Sequence, residues 1–498
     1  MLKYLNKIQP IYYILGVFLL CLTLTFLGND RFPFKYAKDF DEKSYLEIIR
    51  YLPDLFHHKS FDSYYISRLL VPGIAHYIIR FLQLDYSNET IQNIFLGLNF
   101  LSILLGCYYY FKIIKIKNYS SNLIAIGFCF LFVNFFVMKF SSFYSILMDM
   151  FGFTSGIILY YYYLTKKKIL FYSFLLICMF IFPTTILIVL AVMLSNIITF
   201  NEKGLNINKN FNKWLWCILS FALLLLVSIC YIRYDFITTK ANADFANQMS
   251  QNLIPLTILT FIIFLYFAVK QLLQIANNVS IRYKGFIAPT FYLSIGILLF
   301  YFSASKYLSV NFQGTKAFSS TSFIANLLYQ ILSFPLKFMI THFIYYGLFV
   351  VFILFFQKVF FLYAKNNLDS FQKIIFTLFI IFSILGTETR QFLQLFPFVL
   401  FIFLDSLKNY KFSANLVLGI FIFQLIWSRF WYTIDLPEGF LFYALKDKDI
   451  SDFPAQRYFQ FQGPWLSETN SIWYGAIFII IYLIAYTILK KSQQIKID

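Results

Sequence analysis

The chain has 498 residues, of which 60% are hydrophobic and only 13% charged, with 67 Phe and 38 Tyr. That exceeds what a soluble core needs, and the apolar residues come in helix-length runs, which excludes a soluble enzyme and points to a polytopic membrane protein. The net charge of +18 does not indicate a nucleic-acid partner, because the basic residues are scattered over many short loops and form no stripe with interleaved aromatics.

The first apolar run, 8–27, follows Lys3 and Lys7 as a signal peptide would. No small-residue cleavage site comes after it, so it is read as a retained helix. Further runs cover 92–111, 122–138, 146–164, 169–182, 184–199, 214–231, 254–269, 286–303, 338–357, 374–386, 392–406, 413–428 and 471–489. The expected fold is all-α, a single membrane domain over 1–498 with about fourteen crossings and eleven at the fewest. Segments 169–182 and 184–199 are short enough to be one helix kinked at Pro183. Lys166, Lys167 and Lys168 before the pair and Lys203, Lys209 and Lys213 after it favour two crossings with cytoplasmic flanks.

With both termini in the cytoplasm, the inner segments hold about 22 Lys/Arg and about 4 Asp/Glu, and the outer segments about 19 of each. All long loops then lie outside: 28–91, 232–253, 304–337 and 429–470. Loops that share a side mark the working side. No phosphate-cradling glycine loop occurs, so the energy for any reaction must arrive with the substrate. The six cysteines all lie in apolar runs, which argues against disulfides or thiolate metal sites.

Candidate chemistry starts with Asp39-Phe40-Asp41-Glu42 in the first outer loop. A capping box of Asp39 and Glu42 explains part of it. Three crowded carboxylates also imply a shared proton or cation. Tyr45, Ile48, Ile49 and Leu52 predict a helix starting near Glu42. Ile66, Leu70, Ile74, Ile78 and Leu82 form one stripe, and Arg68, Pro72, His76 and Arg80 another, which predicts an amphipathic interfacial helix able to hold a lipid phosphate or contact headgroups. Asp149, at the outer end of its span, needs either an ion-pair partner or a function. Arg390, in the turn Gly386–Gln391, is placed either for an anion, since guanidinium binds phosphate oxygens in a fork, or to snorkel to lipid headgroups. Lys306 and Lys316 in the 304–337 loop, and Arg429 beside Trp427 and Trp431, are further anion candidates. His57 and His58 point apart on a helix and do not suggest a joint metal site. His76 and His342, on interfacial or membrane helices, read as packing or headgroup-contact residues.

Asp41-Glu42-x-x-Tyr45, then Arg68-Leu69-Leu70-Val71-Pro72, then Leu98-Asn99-Phe100 resembles the glycosyltransferase C superfamily of polyprenyl-phosphate-sugar-dependent membrane enzymes. Asp149 resembles a second acidic position of that family, the 304–337 loop a gating loop, and Glu388-Thr389-Arg390 before Pro397 a late arginine-proline turn. The likeness covers the first 160 residues or so, and the rest by layout; the large extracytoplasmic domain that many members append is missing, with only the 429–470 loop in its place. The resemblance implies Asp41 as catalytic base, with Glu42 or Asp39 as its neighbour. Asp149 would assist or, with Asp41, hold a divalent cation such as Mg or Mn. Arg390, with Arg68, would stabilise the departing donor phosphate, with Arg80, Lys306, Lys316 and Arg429 as further phosphate binders. The implied partners are a polyprenyl-phosphate sugar, an acceptor that is a lipid, glycan or protein, and membrane lipids, on the outer face of a bacterial plasma membrane.

Two rival readings remain. A lipid-linked oligosaccharide flippase fits the helix count, yet such carriers usually show two related halves and short loops. An O-antigen-type polymerase or ligase relies on an arginine-rich late loop, and 429–470 holds only Arg429 and Arg457.

Overall fold

A computed structural model of the chain describes residues 10–28, 30–31, 41–205, 210–232, 251–276, 279–313, 320–432, 466 and 468–492. Asp39 and Lys316 lie outside the described residues.

Each of the fourteen apolar segments holds a helix. Six are long and apolar enough to cross a membrane: Pro10–Leu27, Asn88–Lys117, Phe211–Ile229, Ile254–Ile275, Pro289–Leu308 and Glu468–Lys490. Two bent pairs raise this to eight if each is one span: Ser121–Phe132 with Phe136–Phe143, bent by 48°, and Lys337–Tyr346 with Leu348–Phe355, bent by 120°. The other six are Asp149–Leu164, Lys168–Cys178, Thr185–Ile197, Ser370–Leu385, Phe396–Ser406 and Ala414–Trp427, at most 16 residues each. At a rise of about 1.5 Å per residue they reach roughly 24 Å, short of a bilayer core of about 30 Å. Length and composition alone therefore identify fewer spans than the fourteen expected.

Polar side chains start several helices where their backbone N–H groups lack partners. Ser120 accepts from Leu123 N at 3.4 Å, Ser87 from Thr90 N at 3.2 Å, and Asp369 forms a capping box with Gln372.

Loop contacts sort into two sets. At one end, Phe61 N donates to Leu308 O (3.1 Å), Leu70 N to Phe180 O (2.9 Å), Asn311 N to Lys59 O (3.1 Å) and Thr387 N to Gln330 Oε1 (2.7 Å). At the other, Lys117 pairs with Asp405 (2.5 Å), Tyr163 donates to Asp369, Asn122 to Phe412 O (2.6 Å) and Arg282 N to Ile197 O (2.7 Å). The chain from Lys168 to Ile197 thus runs to the first end at Phe180 and returns.

Three features depart from the sequence expectation. A two-stranded antiparallel sheet pairs Ile198–Leu205 with Val279–Ile281, with Thr199 opposite Ser280, so the fold is not purely helical. Its β-branched Ile198, Thr199, Val279 and Ile281 suit that pairing. The 304–337 loop is shorter than expected, since Pro289–Leu308 extends into it and Ser320–Leu332 is a further helix. The interfacial helix is broken into Ser63–Ile66 and Leu70–Phe81. Val71, Pro72, Ala75, His76 and Ile79 are its buried face; Ile74 and Leu82 of the apolar stripe are exposed together with Tyr77 and Phe81, and of the second stripe Pro72 and His76 are covered while Arg80 is exposed.

The core is aromatic throughout. Tyr160 stacks on Phe401 at 4.8 Å and Tyr346 on Phe396 at 4.1 Å, both with near-parallel rings. The sharp bend beside Tyr346 is made by Gly347, at φ 58° and ψ −130°. A Cβ there would lie 2.0 Å from Gln424 Oε1, the atom that accepts from Leu348 N at 3.0 Å. Gly347→Ala is therefore expected to lower stability by about 2 kcal/mol or more, read as a fall in Tm of the detergent-purified chain, whereas Gly16→Ala, with open space around it, leaves Tm unchanged.

Candidate functional site

Asp41, Asp149, Glu388 and Arg390 meet at the Gly386–Gln391 turn. Asp41 is the first residue of the Asp41–His58 helix and Asp149 the first of Asp149–Leu164. Each carboxylate therefore sits at the positive end of a helix dipole, which favours its charge. Between them lies the guanidinium of Arg390, with Nη2 3.6 Å from Asp41 Oδ2, Nη1 3.8 Å from Asp149 Oδ2 and Nε donating to Glu388 Oε1 at 2.7 Å. Burial works against the Arg390 charge; Glu388, Asp149 and Asp41 more than offset it and hold its pKa well above the usual arginine value.

The turn that carries Arg390 is held from three sides. Thr387 donates N–H and hydroxyl to Gln330 Oε1, at 2.7 and 3.1 Å. Thr389 Oγ1 lies 2.8 Å from His342 Nδ1, and His342 Nε2 lies 2.8 Å from the Ser383 carbonyl. The carbonyl can only accept, so a neutral His342 carries its proton on Nε2 and takes the Thr389 hydroxyl on Nδ1. Gln394 Nε2 donates to Ser155 Oγ at 2.9 Å and Gln394 Oε1 accepts from Thr184 Oγ1 at 3.0 Å. A Cβ on Gly156 would come within 2.2 Å of Gln394 O, so the helix bearing Asp149 packs directly on the backbone of the turn.

The two aspartates differ in access. The Asp41 side chain is 23% exposed and that of Asp149 8%. Asp41 Oδ1 also accepts from the Tyr65 hydroxyl at 3.1 Å. Arg68 is half-buried close by, its guanidinium 4.3 Å over the Tyr64 ring and donating to Tyr64 O at 3.3 Å and Tyr64 Oη at 3.2 Å. Both acceptors are neutral, and among the described residues no carboxylate lies at ion-pair distance from Arg68. It is thus the cation with charge to spare, whereas Arg390 is already committed to three carboxylates.

Glu42 points the other way. Its side chain is buried and its Oε2 makes no hydrogen bond. Burial, and after it the Asp41 charge, pushes its pKa up to about 8, with Arg390 pulling the other way. At neutral pH Glu42 is a protonated acid, unsuited to act as the base beside Asp41. Arg80 and Lys306 are exposed and form no part of the cluster, and Arg429 lies in a separate aromatic pocket.

A divalent cation shared by Asp41 and Asp149 does not fit this donor set. The guanidinium of Arg390 takes the position between them, and a metal there would meet its like charge. Among the described residues no three His, Cys, Asp or Glu side chains are grouped to hold a metal ion. Sequence reasoning passed over Gln330, Gln394, Tyr64, Tyr65 and the role of His342. Polar residues inside apolar runs, as in Phe392-Leu393-Gln394-Leu395-Phe396, are the signal that would have found the glutamines.

The folded chain binds the Glu42 proton more tightly than the unfolded chain, where the ordinary value is 4.5. Glu42 thus contributes stability below its unfolded pKa that is lost as pH rises towards about 8, by up to roughly 1.4 kcal/mol per pH unit. Glu42→Gln is expected to flatten the Tm-against-pH curve over that window and to exceed the wild type in Tm at its alkaline end. A curve unchanged by the substitution would remove Glu42 as the titrating group.

Neither a protein-family model, nor a curated protein, nor a solved structure matches the chain.

Proposed function

We propose that the chain is an integral membrane glycosyltransferase that moves a sugar from a polyprenyl-phosphate donor to a hydroxyl of a lipid, glycan or protein acceptor on the outer face of a bacterial plasma membrane. The observation that carries this reading is the convergence of Asp41 and Asp149 on Arg390, with Arg68 beside them. The two-ended sorting of loop contacts is consistent with fourteen alternating segments and cytoplasmic termini, since Lys117 and Lys166–Lys168 gather at the end opposite the site.

A sugar on a lipid phosphate is already activated, so two tasks remain. A base must take the proton of the attacking hydroxyl, and a cation must stabilise the phosphate as the bond from the anomeric carbon to its oxygen breaks. Asp41, the more accessible acid, is the base. Arg68 meets the leaving phosphate. Arg390 is a positioning residue that fixes both aspartates. Attack opposite the leaving group inverts the anomeric centre, and no step uses a metal.

One observation favours a transporter instead. The 120° break between Lys337–Tyr346 and Leu348–Phe355 resembles the discontinuous helices of carriers.

The deciding assay follows release of free polyprenyl phosphate from a panel of radiolabelled polyprenyl-phosphate sugars, with cell-envelope extract as acceptor. The wild type is expected to turn over one donor, and Asp41→Asn to lose about 10²–10⁴ of kcat with the fold retained. Arg68→Gln is expected to raise the donor KM and lower kcat together. Full activity in Asp41→Asn would overturn the choice of base. No turnover on any donor would overturn the transferase reading and turn attention to lipid flipping.

A further inference from the structure

Arg429 follows the Ala414–Trp427 helix and is 7% exposed. Its Nη1 and Nη2 are buried and make no hydrogen bond. Instead the guanidinium faces three rings, with Cζ 4.9 Å from the centroid of Trp427, 5.4 Å from Phe135 and 5.5 Å from Tyr474. Ser471, one turn before Tyr474 on the Glu468–Ser492 helix, has a buried hydroxyl that also makes no hydrogen bond. The Arg429 backbone sits at φ 55°, a left-handed conformation that an L residue adopts at a cost.

Structural explanations do not account for this set. Aromatic faces attract a cation, yet they do not satisfy N–H donors, and a buried guanidinium with two idle nitrogens is unfavourable unless something meets it. A methionine or leucine would fill an aromatic pocket without that penalty. The parallel forked N–H groups of a guanidinium match two oxygens of one oxyanion. The surrounding rings offer flat apolar surface for whatever is attached to that group.

We propose that Arg429 is a phosphate-binding subsite distinct from the acidic cluster, taking a phosphate mono- or diester through Nη1 and Nη2, with the Ser471 hydroxyl as an added donor and the Phe135, Trp427 and Tyr474 rings against the attached apolar group. Phe135 lies 5.5 Å from Tyr345, which shares the Lys337–Tyr346 helix with His342, and His342 contacts Thr389 beside Arg390. The subsite and the acidic cluster are thus linked through that half-helix. A bound lipid headgroup and a free phosphate would both satisfy this chemistry. The proposal stands whether or not the chain is a transferase, because it is read by binding without turnover.

The test uses the full chain in phosphatidylcholine nanodiscs. Tm is measured with added inorganic phosphate against chloride at equal ionic strength, and again in nanodiscs containing phosphatidylglycerol. The wild type and Arg282→Gln, which alters an exposed arginine at the opposite end, are expected to gain Tm with at least one of these probes. A response to phosphatidylglycerol alone identifies a lipid headgroup, and a response to inorganic phosphate alone a soluble ligand. Arg429→Gln is expected to lose the response, and Arg429→Lys, which keeps the charge without the fork, to need about tenfold more probe or more. If Arg429→Gln does not fold, the lysine variant and native mass spectrometry of the wild type with each probe decide. No response of the wild type to either probe, or a full response in Arg429→Gln, overturns the proposal.

Discussion

One guanidinium, that of Arg390, lies between carboxylates carried by the first residues of two helices, and the end of the bundle that holds it is arranged around that fact. Two buried or half-buried aspartates facing each other would repel and lose charge; the arginine lets both remain in one place. Once the guanidinium is spent on Asp41, Asp149 and Glu388, it has little left for a ligand. A neighbouring cation with only neutral acceptors, Arg68, becomes the group free to meet an anion. Geometry thus divides the labour that two arginines could otherwise share.

Holding a charged turn at that depth needs polar support in an apolar surrounding. Gln330 takes the Thr387 donors, His342 links Thr389 to the Ser383 carbonyl, and Gln394 ties Ser155 to Thr184. Gln330 and His342 come from two different helices, and Gln394, just past the turn, reaches Ser155 and Thr184 on two other segments, so the turn reports on the packing of all of them. The sharp bend at Gly347 belongs to the same arrangement, because the half-helix before it carries both His342 and Tyr345. The break gives a short helix of its own to His342, which reaches Thr389 of the turn.

The helices themselves were legible in the sequence because their signal is local: each of the fourteen apolar runs holds helix, two of them as bent pairs that the runs did not reveal. The start of a helix at Asp41 was legible for the same reason, from Tyr45, Ile48, Ile49 and Leu52. The depth of Asp149 and the importance of Arg390 were visible as charges in improbable places. What was not legible depends on long-range geometry. Nothing in Asp41-Glu42 reveals that one acid faces an arginine while its neighbour turns into the core. The pairing of Ile198–Leu205 with Val279–Ile281 joins segments about eighty residues apart, and the helix Ser320–Leu332 was hidden in a stretch too polar at its start to read as apolar. The stripe Ile74 to Leu82 was legible from its period, but the second, protein-facing side made by Val71, Ala75, His76 and Ile79 was not, because periodicity finds a face without saying what lies against it.

The Leu70–Phe81 helix carries a consequence for how the site is tuned. Val71, Ala75 and Ile79 anchor it to the protein, His76 Nδ1 lies 2.6 Å from Ile49 O on the helix that begins with Asp41, and Ile74, Tyr77, Phe81 and Leu82 are left facing outward. If the chain lies in a bilayer as proposed, those four side chains meet acyl chains while Asp41 stays among hydrogen bonds, and the helix becomes a float tethered at Ile49. Lateral pressure, chain order and leaflet thickness would then load the helix that begins with Asp41, and the surrounding leaflet would be a variable of the site's geometry as much as any residue within it.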